Sequence, residues 1–452
     1  MRETNTAIIK AYDVRGLVPD EWDGADAYRI GAAFADLVDA PAIAVARDMR
    51  ESSPGLVSAF ADGVRDRGAE VIDAGLGSTD YLYFVSGSLG VPGAMFTASH
   101  NPAAYNGIKF CRAGAVPVGE HTGLDFIGSA LRTGAPVVSV SPRGGYREVD
   151  LLEDYARHLR SLVGLDRIRP LTVVVDAGNG MAGLTVPLVL DHPGLDIIPM
   201  YFELDGTFPH HEADPMKPAN TADLRARVVA EGADLGLAFD GDADRCFVVD
   251  ERGRAVSPSA LIALIAAREL ARVPGAAVVH NLITSTSAVE VIREAGGTPV
   301  RSRVGHSFVK ALMAEHDAVF GGEHSGHYYF RDFWFADTGM LAALHVLAAL
   351  GSERRPLSAL LAEYDRYASS GEINVRTSRP ELALKAVEEA FAESGAGIDR
   401  LDGLTVTLDD GAWFNLRASN TEPVLRVNVE APAPDRAEAL TGRVLAAIES
   451  AA

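Results

Sequence analysis

Three carboxylates stand at alternate positions in FDGDADRCFVVD, residues 239–250: Asp240, Asp242 and Asp244. In extended chain, side chains two apart lie on the same side. Three close carboxylates repel one another unless a cation sits among them. Oxygen-only ligands suit a hard ion, Mg2+ first, and the small Gly241 and Ala243 leave that ion accessible. A calcium-binding helix-loop-helix is the rival reading. The three aspartates match its positions 1, 3 and 5, and Glu251 falls at position 12, but Arg245 occupies the sixth position, where a sharp turn needs Gly. The flanks ADLGLAF and CFVVD read as strands, not helices. A solvated acidic turn is the third alternative.

A second loop, TASHNP (97–102), places Ser99 beside His100. Ser99 lacks the Gly-x-Ser-x-Gly elbow of the α/β-hydrolases. Side chains of adjacent residues in extended chain diverge, so His100 is a poor direct base for Ser99. As a helix cap Ser99 would be ordinary. As a nucleophile it needs another activator, and a metal with nearby cations would serve if the group transferred is phosphoryl.

LRASNTEPVLRV (416–427) puts the Arg417 guanidinium beside Ser419, Asn420 and Thr421. That set suits a phosphate dianion, with Arg binding it bidentately and the others donating neutral hydrogen bonds; a polar turn capping a strand is the alternative. FGGEHSGHYYF (320–330) alternates Glu323, Ser325 and His327 in a Gly-bounded loop. These can hold sugar hydroxyls, or the loop can be a glycine turn with a buried histidine. One motif is a decoy. Gly178-Asn179-Gly180-Met181-Ala182-Gly183 follows a strand and fits a dinucleotide fingerprint, with Glu203 twenty residues on. Asp176, just before the first glycine, would oppose a pyrophosphate on the helix N-terminus. Close strand–helix packing explains these glycines better.

The elements that must position these loops alternate. PAIAVARD (41–48), AEVIDAGLG (69–77), LTVVVDAGNG (171–180), ADLGLAFDGD (233–242), AAVVHN (276–281) and TPVRSRVG (298–305) read as strands. SSPGLVSAFADGVRDRG (52–68) and TSTSAVEVIREAGG (284–297) read as helices between them. A β-α-β rhythm implies α/β layers with largely parallel sheets. Breaks rich in Gly, Pro, Ser and charge fall near 141–150, 250–260 and 367–381. They give domains at 1–148, 149–252, 253–367 and 368–452, carrying in turn the serine, acidic, sugar-type and phosphate-type loops.

A chain of 452 residues is too long for one core. Its net charge of -21 argues against a general nucleic-acid binder. Any anionic substrate would need local cations or a metal to reverse the field. No apolar run is long enough for a membrane helix, and the N-terminus lacks a signal-type apolar region. Cys111 and Cys246, the two cysteines, make no disulfide framework. The expected setting is the cytoplasm.

YDVRG, TASHNP, DGDADR, GEHSGH and RASNTEP, in that order along the whole chain, resemble the α-D-phosphohexomutase superfamily, and its phosphomannomutase/phosphoglucomutase branch in particular. The resemblance implies three related α/β domains with mixed, largely parallel sheets and a C-terminal α+β domain around a central cleft. It implies that Ser99 carries a phosphate in the resting enzyme, with Asp240, Asp242 and Asp244 holding Mg2+ together with one oxygen of that group. Arg245 and the metal would withdraw charge as phosphoryl moves. Arg417, Ser419, Asn420 and Thr421 would hold the non-reacting phosphate. Glu323 and Ser325 would grip the 3- and 4-hydroxyls, and His327 would help at the reacting end. Arg15 and Tyr12 of YDVRG, His100, His306 of VGHSFVK and Lys109 of NGIK match other contact positions. Arg15 and Lys109 would be charge stabilisers or proton-transfer groups.

The implied reaction is reversible conversion of mannose 1-phosphate and mannose 6-phosphate through a hexose 1,6-bisphosphate, which also serves as activator; glucose phosphates are expected substrates too. Phosphoglucomutase and phosphoglucosamine mutase are the alternatives within the family. The latter branch has Gln in the sugar loop and RxSGTE in the phosphate loop, where this chain has His324 and Asn420. His324 also departs from the Met of dual-specificity relatives, and NLITS (281–285) lacks a lysine some relatives use. A Mg2+-dependent sugar phosphatase and a non-catalytic sugar-phosphate sensor are rivals from other classes. The expected partners are hexose phosphates, with no nucleic acid and no membrane, on a monomer or weak homodimer.

Overall fold

The computed structural model describes residues 6–134, 137–377, 379–392, 397–418 and 424–450. These form four sheets. In the first, Ala42–Arg47 runs parallel to both Glu70–Leu76 and Gly93–Phe96, and Tyr105–Arg112 returns antiparallel beside Gly93–Phe96. Val14–Leu17 pairs with Tyr105–Arg112, opposing Arg15 to Gly107. The TASHNP loop therefore joins two paired strands and sits beside Arg15.

The second sheet places Leu235–Phe239 parallel to Leu171–Asp176, which is parallel to Leu195–Met200. Cys246–Asp250 folds back antiparallel on Leu235–Phe239. The acidic run is thus the tip of a strand hairpin. Strand flanks, as the apolar runs on either side imply, leave no helix-loop-helix. In the third sheet Ala277–Asn281 lies parallel to Thr298–Ser302 and Phe320–Gly322, and Tyr328–Phe330 turns back on Phe320–Gly322. The GEHSGH loop is that second hairpin tip. The fourth sheet pairs its strands antiparallel, in the order Ala368–Arg376, Val424–Ala431, Trp413–Ala418, Leu404–Thr407, Gly397–Asp399. Helices Pro380–Phe391 and Pro434–Glu449 cover it through Val387, Phe391, Leu440 and Val444.

One core runs through the first three units. Tyr81 and Leu82, Tyr155 and Leu159, Val173 and Val248, and Ile262 and Leu344 belong to it. Helix Gly339–Gly351 is buried at every position, as a sequence apolar all round but for His345 requires. Buried Asp80 pins the three units at one point, accepting hydrogen bonds from Ser78, from Tyr155 Oη at 2.7 Å and from Thr338 Oγ1 at 2.6 Å. Burial pushes its carboxyl up to about 6, against the pull of those three hydroxyls. The fourth unit has its own core and meets the third through a small cluster of Leu282, Ile283 and Trp413, with Val304 against it.

Candidate active site

Ser99 is a non-glycine residue in the left-handed region, with φ of 48°. That conformation carries a steric cost, and the surroundings hold it. Arg50, wholly buried, donates from Nη2 to Ser99 O at 2.8 Å and Asn101 O at 2.7 Å, and from Nη1 to Pro102 O at 2.8 Å and Tyr105 O at 2.9 Å. Its Nε donates to buried Asp48 at 3.1 Å. Thr97 Oγ1 accepts from Ser99 N at 2.9 Å, and Arg15 Nη1 donates to Asn101 Oδ1 at 2.7 Å and Ala98 O at 3.1 Å.

The bend re-aims the side chains. Ser99 Oγ donates to Asp240 Oδ2 at 2.7 Å, lies 3.2 Å from His100 Nδ1, and is 3.5 Å from Arg245 Nη2. The expectation that Ser99 and His100 diverge fails here, because it assumed extended backbone at Ser99. Desolvation, then Arg245 and Arg15, hold His100 well below the usual imidazole range, so the ring is neutral.

Asp240, Asp242 and Asp244 converge as one buried group, with one oxygen of each within 4.8 Å of the others. Arg245 Nε donates to Asp240 Oδ2 at 2.9 Å, and Thr79 Oγ1 to Asp242 Oδ2 at 2.5 Å. Lys109 Nζ bridges Asp242 Oδ2 at 2.6 Å and Asp244 Oδ2 at 2.5 Å. Asp242 Oδ1 and Asp244 Oδ1 remain buried without a hydrogen-bond partner. Buried orphan oxygens of this kind fit a hard divalent ion. Burial and the two neighbouring carboxylates push Asp240 up, although Arg245 opposes them; burial would also raise Asp242, but Lys109 overrides it and holds Asp242 down. Burial would lower Lys109, but Asp242 and Asp244 keep it charged.

Glycine makes the close approach possible. A Cβ on Gly241 would lie 2.5 Å from Ser99 O, and one on Gly180 would lie 2.7 Å from Gly241 O. Met181 N donates to that same Gly241 O at 2.9 Å. Gly180 and Met181 of the dinucleotide-like run thus brace the acidic loop from behind, while Gly183 lets its helix pack on Phe202. Asp176 is occupied by Gly178 N at 2.8 Å and by His211 Nε2 at 3.0 Å.

The sugar-type loop closes the other side. Arg245 bridges to His327 as an antiparallel backbone pair. His327 Nδ1 lies 3.0 Å from Asp337 Oδ2 and 3.8 Å from Asp244 Oδ1, and Asp337 is paired with buried Lys310 at 2.7 Å. Desolvation would lower His327, but Asp244 and Asp337 raise it. Glu323 accepts from Gly305 N at 2.9 Å and Tyr329 Oη at 2.6 Å. Ser325 is half-buried on the same loop. Tyr12 meets the His306 ring edge-on at 4.8 Å; desolvation, then Lys310, pushes His306 down to about 3. His324 faces elsewhere, with Nδ1 2.9 Å from Ser259 Oγ.

Arg417 stands on strand Trp413–Ala418 with Nε buried and unpartnered. Ser419, Asn420 and Thr421 lie outside the described residues. Arg50, Asp48, Thr79, Asp337 and Lys310 are site residues that the motif reading does not single out. Lys310 sits one helical turn after His306, a spacing that puts them on one face and is the one local signal among them.

Known proteins align with the chain along its length. Four family models match in order: phosphoglucomutase/phosphomannomutase alpha/beta/alpha domain I over residues 6–130, domain II over 153–253, domain III over 257–367, and the C-terminal domain over 372–447. The chain is 39% identical over 437 residues to a phosphomannomutase of Salmonella typhimurium, covering 94% of this chain and 95% of that one. It is 40% identical over 425 residues to a protein named phosphohexose mutases from Xanthomonas campestris pv. campestris, covering 93% and 94%. Among solved structures, a phosphoglucomutase/phosphomannomutase family protein of Burkholderia thailandensis superposes with a TM-score of 0.89 at 32% identity, covering 99% of this chain and 98% of that one.

Proposed function

This chain belongs to the phosphoglucomutase/phosphomannomutase family, and from that premise we infer that it is a phosphomannomutase, interconverting mannose 1-phosphate and mannose 6-phosphate. The observation that carries the reading is Ser99 Oγ held at once against Asp240, His100 and Arg245, by loops of two different units. Mannose is favoured by relatives named phosphomannomutase; glucose phosphates are expected as further substrates.

In the proposed cycle Ser99 carries the phosphoryl group. A hexose 1-phosphate presents its 6-hydroxyl; the bond from phosphorus to Ser99 Oγ breaks as the bond to O6 forms, and the O6 proton passes to His327. The hydrogen bond from Nδ1 to Asp337 leaves Nε2 as the ring nitrogen for that transfer. Ser99 Oγ is left negative beside Arg245. The bisphosphate turns over, Ser99 Oγ attacks the phosphorus on O1, that bond breaks, and O1 takes the proton back. Lys109, held charged, stabilises negative charge rather than accepting a proton. His100, neutral, and Arg15, bound to Asn101, hold the loop around the reacting oxygen. A divalent ion, Mg2+ by its preference for oxygen ligands, would be held by Asp240, Asp242 and Asp244 and would supply Lewis-acid charge neutralisation at the phosphoryl oxygens.

At the other end Arg417, with Ser419, Asn420 and Thr421, holds the phosphate that is not reacting. Tyr12, His306, Glu323 and Ser325 hold the sugar between. The enzyme is proposed to work in the cytoplasm as a monomer or weak homodimer, with a hexose 1,6-bisphosphate as activator. Two buried unpaired cysteines fit that setting; among the described residues no helix is long and apolar enough to cross a membrane.

Phosphorus NMR tests the reading. The protein is incubated with Mg2+, trace glucose 1,6-bisphosphate and mannose 1-phosphate, with parallel samples of glucose 1-phosphate and glucosamine 1-phosphate. Mannose 6-phosphate should form, and faster than the other products. Inorganic phosphate in its place would instead establish a phosphatase.

A further inference from the structure

Resting on the hexose-phosphate reading above, we propose that Arg303 is a second guanidinium of the distal phosphate clamp, facing Arg417 across the seam between the third and fourth units. Arg303 follows strand Thr298–Ser302, at the carboxyl end where α/β sheets meet their ligands. It is exposed, and no carboxylate among the described residues lies within ion-pair distance of it. Its guanidinium stacks 4.8 Å from the centre of the Phe308 ring. A guanidinium held over a ring face still has N–H groups with which to bind an oxyanion.

Neighbouring contacts place the residue beside the site. Phe308 meets Tyr12 at 6.4 Å, and Tyr12 meets His306 at 4.8 Å. The next two residues touch both sides of the seam: Val304 N donates to Asp402 Oδ2 at 3.1 Å, and Gly305 N donates to Glu323 Oε1 at 2.9 Å. The turn carrying Asp402 packs directly on Arg417, since a Cβ on Gly403 would lie 3.0 Å from Arg417 Cα. One turn therefore separates the backbones of the two arginines. Electrostatics agree: the Tyr12 phenol, raised first by burial and then by Glu323, is pulled back by both Arg303 and Arg417.

This arrangement also accounts for the missing lysine in NLITS. Leu282 and Ile283 pack on Trp413 in the apolar joint between the units, so that segment lends no cation. Arg303, twenty residues later, supplies the third unit's positive charge at the seam. A phosphate gripped by Arg303 and Arg417 would tie the two units together, and a hexose bisphosphate turning over would find the same pair in either orientation.

The test is the full-length Arg303→Ala variant, with Arg303→Lys and, as a charge control far from the seam, Arg331→Ala. Steady-state rates are measured with mannose 1-phosphate and with mannose 6-phosphate, and binding of mannose 1-phosphate by calorimetry. Arg303→Ala should raise both KM values and the dissociation constant about tenfold, the scale of one charge-assisted contact. kcat should stay within about threefold, because the group grips the phosphate that does not react. Arg303→Lys should recover part of the loss, and Arg331→Ala should match wild type. Unchanged KM and affinity in Arg303→Ala would overturn the proposal, as would an equal loss in Arg331→Ala, which would mark a general field effect. Failure of the wild-type protein to bind or convert any hexose phosphate would instead remove the mutase reading on which the proposal rests.

Discussion

Ser99 adopts a backbone conformation that a serine does not favour, and Arg50 holds the carbonyls around it. Four carbonyl oxygens of the serine loop rest on one guanidinium, which in turn rests on Asp48. Arg50→Met should lower the unfolding free energy by about 3–5 kcal/mol, because Asp48 is left as an uncompensated buried charge. Adding Asp48→Asn should restore part of the stability, by removing the buried charge, but not the turnover, since the carbonyls stay unheld; denaturant unfolding and kcat on the single and double variants decide it. The candidate residues were readable because side-chain identity is local: three aspartates, a serine and an arginine announce themselves, and the structure brings Ser99, Arg245 and the aspartates together. Their supports were not readable. Arg50 is separated by 49 residues from the Ser99 carbonyl that it holds, and nothing short-range predicts that meeting. The misjudged pair of Ser99 and His100 has the same origin, because a positive φ at a serine is imposed by tertiary contacts.

Strands and helices bring those residues together by ending in the right place. The strand–helix alternation was visible as apolar runs broken by Gly and Asp, and the strand character of the flanks separated the acidic hairpin from a helix-loop-helix. How elements touch was less visible. The glycines of 178–183 satisfied a nucleotide-binding pattern, yet Gly180 packs on the acidic loop at Gly241 and Gly183 packs on Phe202. Gly241→Ala should therefore be severe: a Cβ 2.5 Å from Ser99 O must push the serine loop away. We expect a loss of about 1–3 kcal/mol in stability and turnover reduced at least a hundredfold, on the principle that small misplacements at a reacting centre are costly; unfolding and rate measurements on one preparation would check both. Asp80, at the start of helix Thr79–Leu89, gives a pH signature. Its folded carboxyl is raised to about 6, so the native state keeps a proton that the unfolded chain loses near pH 4. This contribution favours folding at low pH and is lost as pH rises from about 4 to about 6, a change of roughly 3 kcal/mol. Asp80→Asn has no such titration. The stability of wild type relative to this variant should fall across that window and be flat above it; a constant difference from pH 4 to 7 would contradict the assignment.

At the scale of the molecule, three units share one core while the fourth has its own. Calorimetry should show this as two transitions, the smaller belonging to the fourth unit. A hexose phosphate bound at the seam should draw the two together, because it stabilises only the joined form. A single transition unaffected by ligand would contradict the separate core. Against the net charge of -21, the cations Arg15, Lys109 and Arg245 stand at the serine and acidic loops. The order of the motifs conveyed the overall architecture; the shared core was hidden, because it depends on which apolar faces meet, and three separate units and one fused body carry the same periodicity.

The central claim is that Ser99 relays the phosphoryl group. It is tested most directly by phosphorylating the protein with a hexose 1,6-bisphosphate, removing the excess, and adding one equivalent of mannose 1-phosphate with Mg2+. Peptide mass spectrometry then follows the residue while phosphorus NMR follows the sugar. The account predicts phosphate on Ser99 beforehand, its loss as mannose 1,6-bisphosphate appears, and its return as mannose 6-phosphate is released. Formation of mannose 6-phosphate with Ser99 never phosphorylated, or with its phosphate undisturbed, would contradict it.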